Sequence, residues 1–195
     1  MIIIGIDIGY YNLGFVKVLV EEGVPTVLLA RKVDITQYAH TRIPQCECRL
    51  HHTREMADYV LHFIQEYRVH LDEADTVLVE RQPPGGFGAI ETLIVATFRE
   101  KVDIVSPNSM HKHFRIGHLD YERRKQMTQQ IAGEYLEHVD SYNRLIRKHD
   151  VADAMCMVLY RMPRVPRIKN IVPSFEIFRY EDKFRGSPGS PVDSR

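Results

Sequence analysis

The stretch MIIIGIDIGYYNLG, Met1 to Gly14, decides how the chain is read. Ile2, Ile3, Ile4, Ile6 and Ile8 are β-branched, and apolar residues on both parities describe a strand covered on both faces, as in the middle of a sheet. One carboxylate, Asp7, lies in that run. An ionised carboxylate buried alone is costly, so Asp7 needs a cation, a metal or a set of donors beside it. The plainer alternative is an Asp that caps a turn at Gly9.

Working outward, LGFVKVLV (Leu13 to Val20) and TVLLARKVDI (Thr26 to Ile35) read as two more strands, joined through Gly23 and Pro25, and the three make a meander. Between Thr53 and Leu71, Met56, Tyr59, Val60, Phe63, Ile64 and Tyr67 recur at helical intervals, which predicts a long amphipathic helix laid on the sheet. Thr76 to Val79 is a short apolar strand that ends on a second acid, Glu80. PPGGFG, Pro83 to Gly88, lacks a following Gly-Lys-Ser/Thr and is read as a connection rather than a phosphate loop. Ala89 to Lys101 predicts a helix and Val102 to Ser106 a last strand, with Pro107 as a stop and Asn108 and Ser109 as the cap of a new helix. HKHFRIGH reads as a basic loop, Tyr121 to His138 as a helix that opens with ERRKQ, and His149 to Met162 as the final helix.

That last helix carries Asp150 and Asp153 three residues apart, a spacing that predicts two carboxylates on one helical face near its start. An acidic first turn complementing the helix dipole is the plainer explanation. With Asp7 and Glu80, however, four acids converge on one edge of a mixed sheet. Four carboxylates repel unless cations sit among them, and oxygen ligands of this kind suit Mg²⁺ or Mn²⁺, two of which together can drive phosphodiester hydrolysis.

Composition narrows the classes. At 195 residues and 44% hydrophobic content the chain supports one sizeable core. Lys plus Arg and Asp plus Glu balance at 26 each, so global charge does not announce a nucleic-acid binder, but its distribution is uneven. From Ser109 to Lys169 there are 12 Lys/Arg against 7 acids, a local +5 that leaves the remainder at −5. Three cysteines, Cys46, Cys48 and Cys156, are too few and too oddly numbered for a disulfide framework and predict a reducing, intracellular compartment. No apolar stretch of about 18 residues predicts a membrane span. The chain enters its first strand at once, so no cleavable presequence is expected. Cys46, Cys48, His51 and His52 invite a zinc reading, but they crowd into seven residues with no second pair at a distance, and a surface connection is the expected use of Gln37 to His52.

The order of these pieces resembles the RNase H-like superfamily, and within it the RuvC-type Holliday junction resolvases of the poxvirus, iridovirus and mitochondrial branch. GIDIGYYNLG with Asp7, Asn12 and Gly14, VLVERQP with Glu80 and Gln82, and HDVADAM with Asp150, Asp153 and Ala154 carry the resemblance, supported by VSPNS and the ERRKQ helix. It runs over about residues 1 to 160. It implies an α/β RNase H-like fold, a five-stranded mixed sheet of three antiparallel strands and then two alternating with helices, flanked by helices. A single nuclease domain over residues 1–180 and a disordered tail over 181–195 are expected.

The resemblance further implies a homodimer that binds four-way DNA junctions and makes two symmetric nicks. Asp7, Glu80, Asp150 and Asp153 would be metal-binding catalytic acids holding two Mg²⁺ or Mn²⁺ ions, and Lys125 the basic helper at the phosphate, with Arg124 and Lys112 competing for that place. Lys112, Arg123, Arg124, Lys125, Arg147 and Lys148 would contact DNA. Three other readings stand beside it: an RNase H-like nuclease for RNA–DNA hybrids or other branched DNA, a non-catalytic nucleic-acid-binding module, and an actin/Hsp70-like ATPase, which GIDIG also resembles. The last would need a second phosphate loop, which the sequence lacks, so no nucleotide cofactor is expected.

Overall fold

The computed structural model describes residues 1–37 and 47–162. Cys46, the end of the expected nuclease domain beyond residue 162 and the tail expected over 181–195 lie outside the described residues. Five strands form one sheet: β1 (Ile2–Asp7), β2 (Leu13–Glu21), β3 (Val24–Val33), β4 (Thr76–Glu80) and β5 (Val102–Val105). Their order is β3-β2-β1-β4-β5. The β1-β2-β3 meander is antiparallel, and β4 and β5 add parallel to β1, as the sequence predicts. The hairpin between β2 and β3 turns on Glu22 and Gly23, both with positive φ.

Period-two alternation sorts the side chains onto two faces. Ile4, Ile6 and Ile8 of the opening run, with Leu13, Phe15, Val77 and Val79, pack beneath α1 (Met56–Glu66), α2 (Arg68–Glu73) and α3 (Gly88–Thr97). Ile3, Val16, Val18 and Leu78 face the opposite layer, which is built from α4 (Pro107–His113), α5 (Tyr121–Leu136), α6 (Asp140–Asn143) and α7 (His149–Arg161). Asp7 and Glu80 have the parity of Ile3 and Leu78, so both carboxylates belong to the α5/α7 side.

Helix α7 lies directly on β1 and β2. A Cβ on Gly5 would collide with the carbonyl oxygen of Ala154, and one on Gly14 with the carbonyl oxygen of Asp150. The two glycines therefore let the α7 backbone touch the sheet, with Val151, Ala152, Ala154, Met155, Cys156, Met157 and Val158 all buried. That contact fixes where the acids of α7 stand relative to Asp7.

Several boundaries differ from expectation. The helix expected over Thr53 to Leu71 begins at Met56, because Thr53 donates from both its backbone N–H and its hydroxyl to the Asp58 carboxylate instead of entering the first turn. It breaks at Tyr67, whose ring packs 4.7 Å from that of Phe15 and 5.1 Å from that of Phe63. The helix after β5 starts one step earlier than Asn108, with Ser106 at the N-cap and Pro107 in the first turn, where its fixed φ fits and its missing N–H costs nothing. His111, Lys112 and His113 consequently sit in α4 and not in a loop. Among the described residues no helix is long and apolar enough to cross a membrane.

Candidate active site

Because β1 and β4 run parallel with Ile6 opposite Val79, Asp7 and Glu80 emerge side by side at their ends. Across from them, α5 is set by Asp120, whose carboxylate caps the helix by accepting the Arg123 N–H at 2.9 Å, and this places Lys125 one turn in. Asp153 projects from α7 into the same space. Asp7, Glu80, Asp153 and Lys125 line one cavity of about 160 Å³, together with His111, Tyr121, Arg124 and Thr128.

The electrostatics are those of crowded acids. Burial, and then the neighbouring carboxylates of Glu80 and Asp153, push the pKa of Asp7 well above the usual carboxylate range. Glu80 is also raised, mainly by burial. A side-chain hydrogen bond between the two carboxyl groups raises the Asp7 pKa further and lowers that of Glu80, so it favours the proton on Asp7. Gln82 holds Glu80 in place, its side-chain amide donating to Oε2 at 2.9 Å, while its Oε1 accepts the Phe87 N–H at 3.3 Å. Lys125 pairs directly with Asp153 Oδ2, and this pair keeps the ammonium charged in spite of partial burial. The Lys125 Nζ also lies 5.5 Å above the Tyr121 ring.

Asp153 Oδ1 is buried and has no hydrogen-bond partner. A buried carboxylate oxygen without a donor is costly. Here it borders two protonation-prone carboxyl groups, and the donor set is all oxygen. These residues fit a hard divalent cation, which would satisfy Asp153 Oδ1 and offset the repulsion that raises Asp7.

The four sequence-predicted acids are not equivalent. Asp150 does not line the cavity. It faces an adjoining open groove with Tyr10, Tyr11, Phe87 and Arg147, and Arg147 grips it with both Nε (2.7 Å) and Nη2 (3.1 Å). Of the three basic candidates, Lys125 alone has its charge among the carboxylates. Arg124 reaches the cavity wall but donates to the Leu119 carbonyl oxygen, and Lys112 is an exposed residue of α4. Arg123 is exposed and within 3.4 Å of Asp120, and Lys148 lies 5.1 Å over the Tyr142 ring.

Sequence reasoning missed His111 and Tyr121. Burial lowers the pKa of His111, which favours the neutral imidazole in the cavity wall. The Pro107 start of α4 was the signal available, since it places His111 one turn in, on the side of buried Met110.

No protein-family model matches the chain, and no curated protein matches it in sequence. Solved structures do. The complex of fowlpox virus resolvase with its substrate Holliday junction DNA superimposes with a TM-score of 0.60 at 18% identity, covering 82% of this chain and 95% of that one. The fowlpox virus Holliday junction resolvase by itself gives 0.57 at 18% identity, covering 82% and 97%. The chain has the RNase H-like fold of these resolvases. Thermus thermophilus RuvC is a looser match, with a TM-score of 0.47 at 20% identity over 82% and 92%. The mixed five-stranded sheet expected from the sequence, three antiparallel strands and then two alternating with helices, is present.

Proposed function

We propose that this chain is a metal-dependent endonuclease that resolves four-way DNA junctions, working as a homodimer that makes two symmetric nicks. The cavity in which Asp7, Glu80 and Asp153 meet Lys125, with one Asp153 oxygen unpaired, is the observation that carries this reading. The fold shared with a resolvase that was captured on its junction supports the substrate.

Asp7, Glu80 and Asp153 would hold Mg²⁺ or Mn²⁺, with Asp150 joining them when Arg147 turns from it to a DNA phosphate. Two such ions, when bound, supply an activated water and stabilise the departing 3′ oxygen. Lys125 sets its charge where the scissile phosphate gains negative charge, an electrostatic contribution that needs no reorganisation. Gln82 keeps the Glu80 carboxylate turned into the cavity, and the tie between Gln82 and Phe87 steadies the loop beside it. Lys112, Arg123, Arg124, Arg147 and Lys148 grip the backbone by charge, so affinity falls as salt rises, and removing one such contact reduces the salt slope by about 1. Tyr11 and Phe87, both exposed at the groove, offer faces on which unstacked bases at a branch point can rest.

Lys125→Met is expected to slow single-turnover cleavage about 10²-fold while changing junction affinity far less. A rate within a factor of about three of the parent would remove Lys125 from the reaction.

The decisive experiment mixes the purified chain with a labelled four-way junction, a linear duplex and an RNA–DNA hybrid, with and without Mg²⁺, beside Asp150→Asn. Paired, ligatable nicks on the junction alone, lost without metal and in the variant, are expected. Cleavage of the hybrid in their place would keep the site and overturn the substrate. Tight junction binding with no cleavage would make the chain a binding module.

A further inference from the structure

A second cluster of ligand-type side chains lies on the opposite layer of the fold. Cys48 and His52, from the segment before α1, meet His62, which is buried in α1, and the three ligand atoms lie within 4.8 Å of one another. Cys48 Sγ is 3.7 Å from His62 Nε2, and the His52 and His62 rings have centroids 4.7 Å apart. A tetrahedral zinc with one thiolate and imidazole ligands requires an S···N separation of roughly 3.5 Å, from bond lengths near 2.3 and 2.0–2.1 Å. The observed separation is close to that.

The surroundings orient His62 for this role. Its Nδ1 lies 2.7 Å from the Asp58 carbonyl oxygen one helical turn back and donates to it, which leaves Nε2 as the lone-pair nitrogen pointing at Cys48. The Asp58 carboxylate is itself held by Thr53, so the turn that carries the Asp58 carbonyl is anchored at the start of α1. Sequence spacing could not find this group, because His62 belongs to a helix and meets the cysteine only after α1 docks.

We propose that Cys48, His52 and His62 bind a zinc ion that fastens the segment before α1 to the helix. Donor chemistry separates this site from the acidic cavity: one sulfur and two imidazole nitrogens select a borderline-soft ion, while the all-oxygen cavity selects Mg²⁺ or Mn²⁺. Three protein ligands leave the fourth position of the tetrahedron to water, and loss of the ion leaves the carboxylates of the other layer in place.

Metal analysis of the protein after zinc loading and gel filtration, together with absorption spectra of the cobalt-substituted form, tests this. About one zinc per chain and a thiolate-to-cobalt charge-transfer band are expected in the parent, and also in Asp7→Asn. Cys48→Ser should lose the band entirely, and His52→Ala, at a half-buried position, should weaken zinc binding about 10²-fold. A parent protein with no such band overturns the site without reference to any variant, as does zinc retention unchanged in Cys48→Ser and His52→Ala. Circular dichroism confirms that each variant compared is folded.

Discussion

Asp7→Asn is expected to abolish cleavage, by about 10³-fold or more, and at the same time to raise the melting temperature of the metal-free protein. The two effects have one cause. Asp7 is buried against Glu80 and Asp153, which push its pKa up, so the folded chain keeps a proton there that the unfolded chain gives up near pH 4. A group that binds its proton more tightly when folded makes stability fall as pH rises from about 4 through the folded pKa. Asparagine removes that decline. Each kcal/mol of relieved repulsion is worth about 2–4 °C in a chain of this size. Thermal melts of both proteins from pH 4 to 8 in chelator, followed by the same melts in Mg²⁺, would check it. In Mg²⁺ the parent should recover its deficit and the variant should gain little. A variant that melts below the parent in chelator at pH 8 would show that Asp7 is a stabilising partner and not a strained ligand.

Gly14→Ala should be the most damaging single methyl in the protein. Its Cβ would enter the carbonyl oxygen of Asp150 and lie 3.0 Å from the Val151 nitrogen, and backbone cannot rotate out of the way as a side chain can. Overpacking in a core costs about 1–3 kcal/mol, and a collision with backbone belongs at the upper end, near 6–12 °C in melting temperature. Cleavage should fall further than stability, because α7 can relieve the clash only by lifting Asp150 and Asp153 away from β1. Gly88→Ala is the control. A Cβ there meets nothing within 4 Å at the start of α3, so stability should hold or rise by about 0.5–1 kcal/mol. Equal melting temperatures for the two variants would mean that α7 is not seated on the sheet as described.

The legible part of the site was the pair of acids that close apolar strands. Asp7 and Glu80 stand out as carboxylates at the ends of β-branched runs buried on both faces, and their shared side follows from the parallel pairing of β1 with β4. Lys125 was legible as a helix position but not as a choice over Arg124, since neighbouring residues on a helix point about 100° apart and only the docking of α5 decides between them. The Asp150 and Asp153 pair shows the limit of helical spacing. Three residues leave side chains about 60° apart, enough at a helix end for one carboxylate to enter the cavity while the other turns to Arg147 in the next groove. His111 was hidden by a boundary: with the start of α4 placed after Pro107, it read as part of a loop. His62 was hidden by distance, because its partners come from a segment with no period of its own.

The sorting of the chain into two layers has a further consequence. All the carboxylates of the cavity, and Lys125 with them, come from one side of the sheet and the helices on it. The α1, α2 and α3 layer supplies none of the side chains lining the cavity and meets that chemistry at the strand backbone and at Gln82, which the start of α3 holds through Phe87 and Glu91. Changes confined to α1 and α2 therefore act on stability without moving the reacting groups. The α1 layer can be re-lengthened, re-packed or given a new ligand while the reacting groups keep their places, which makes it the half of the protein free to vary.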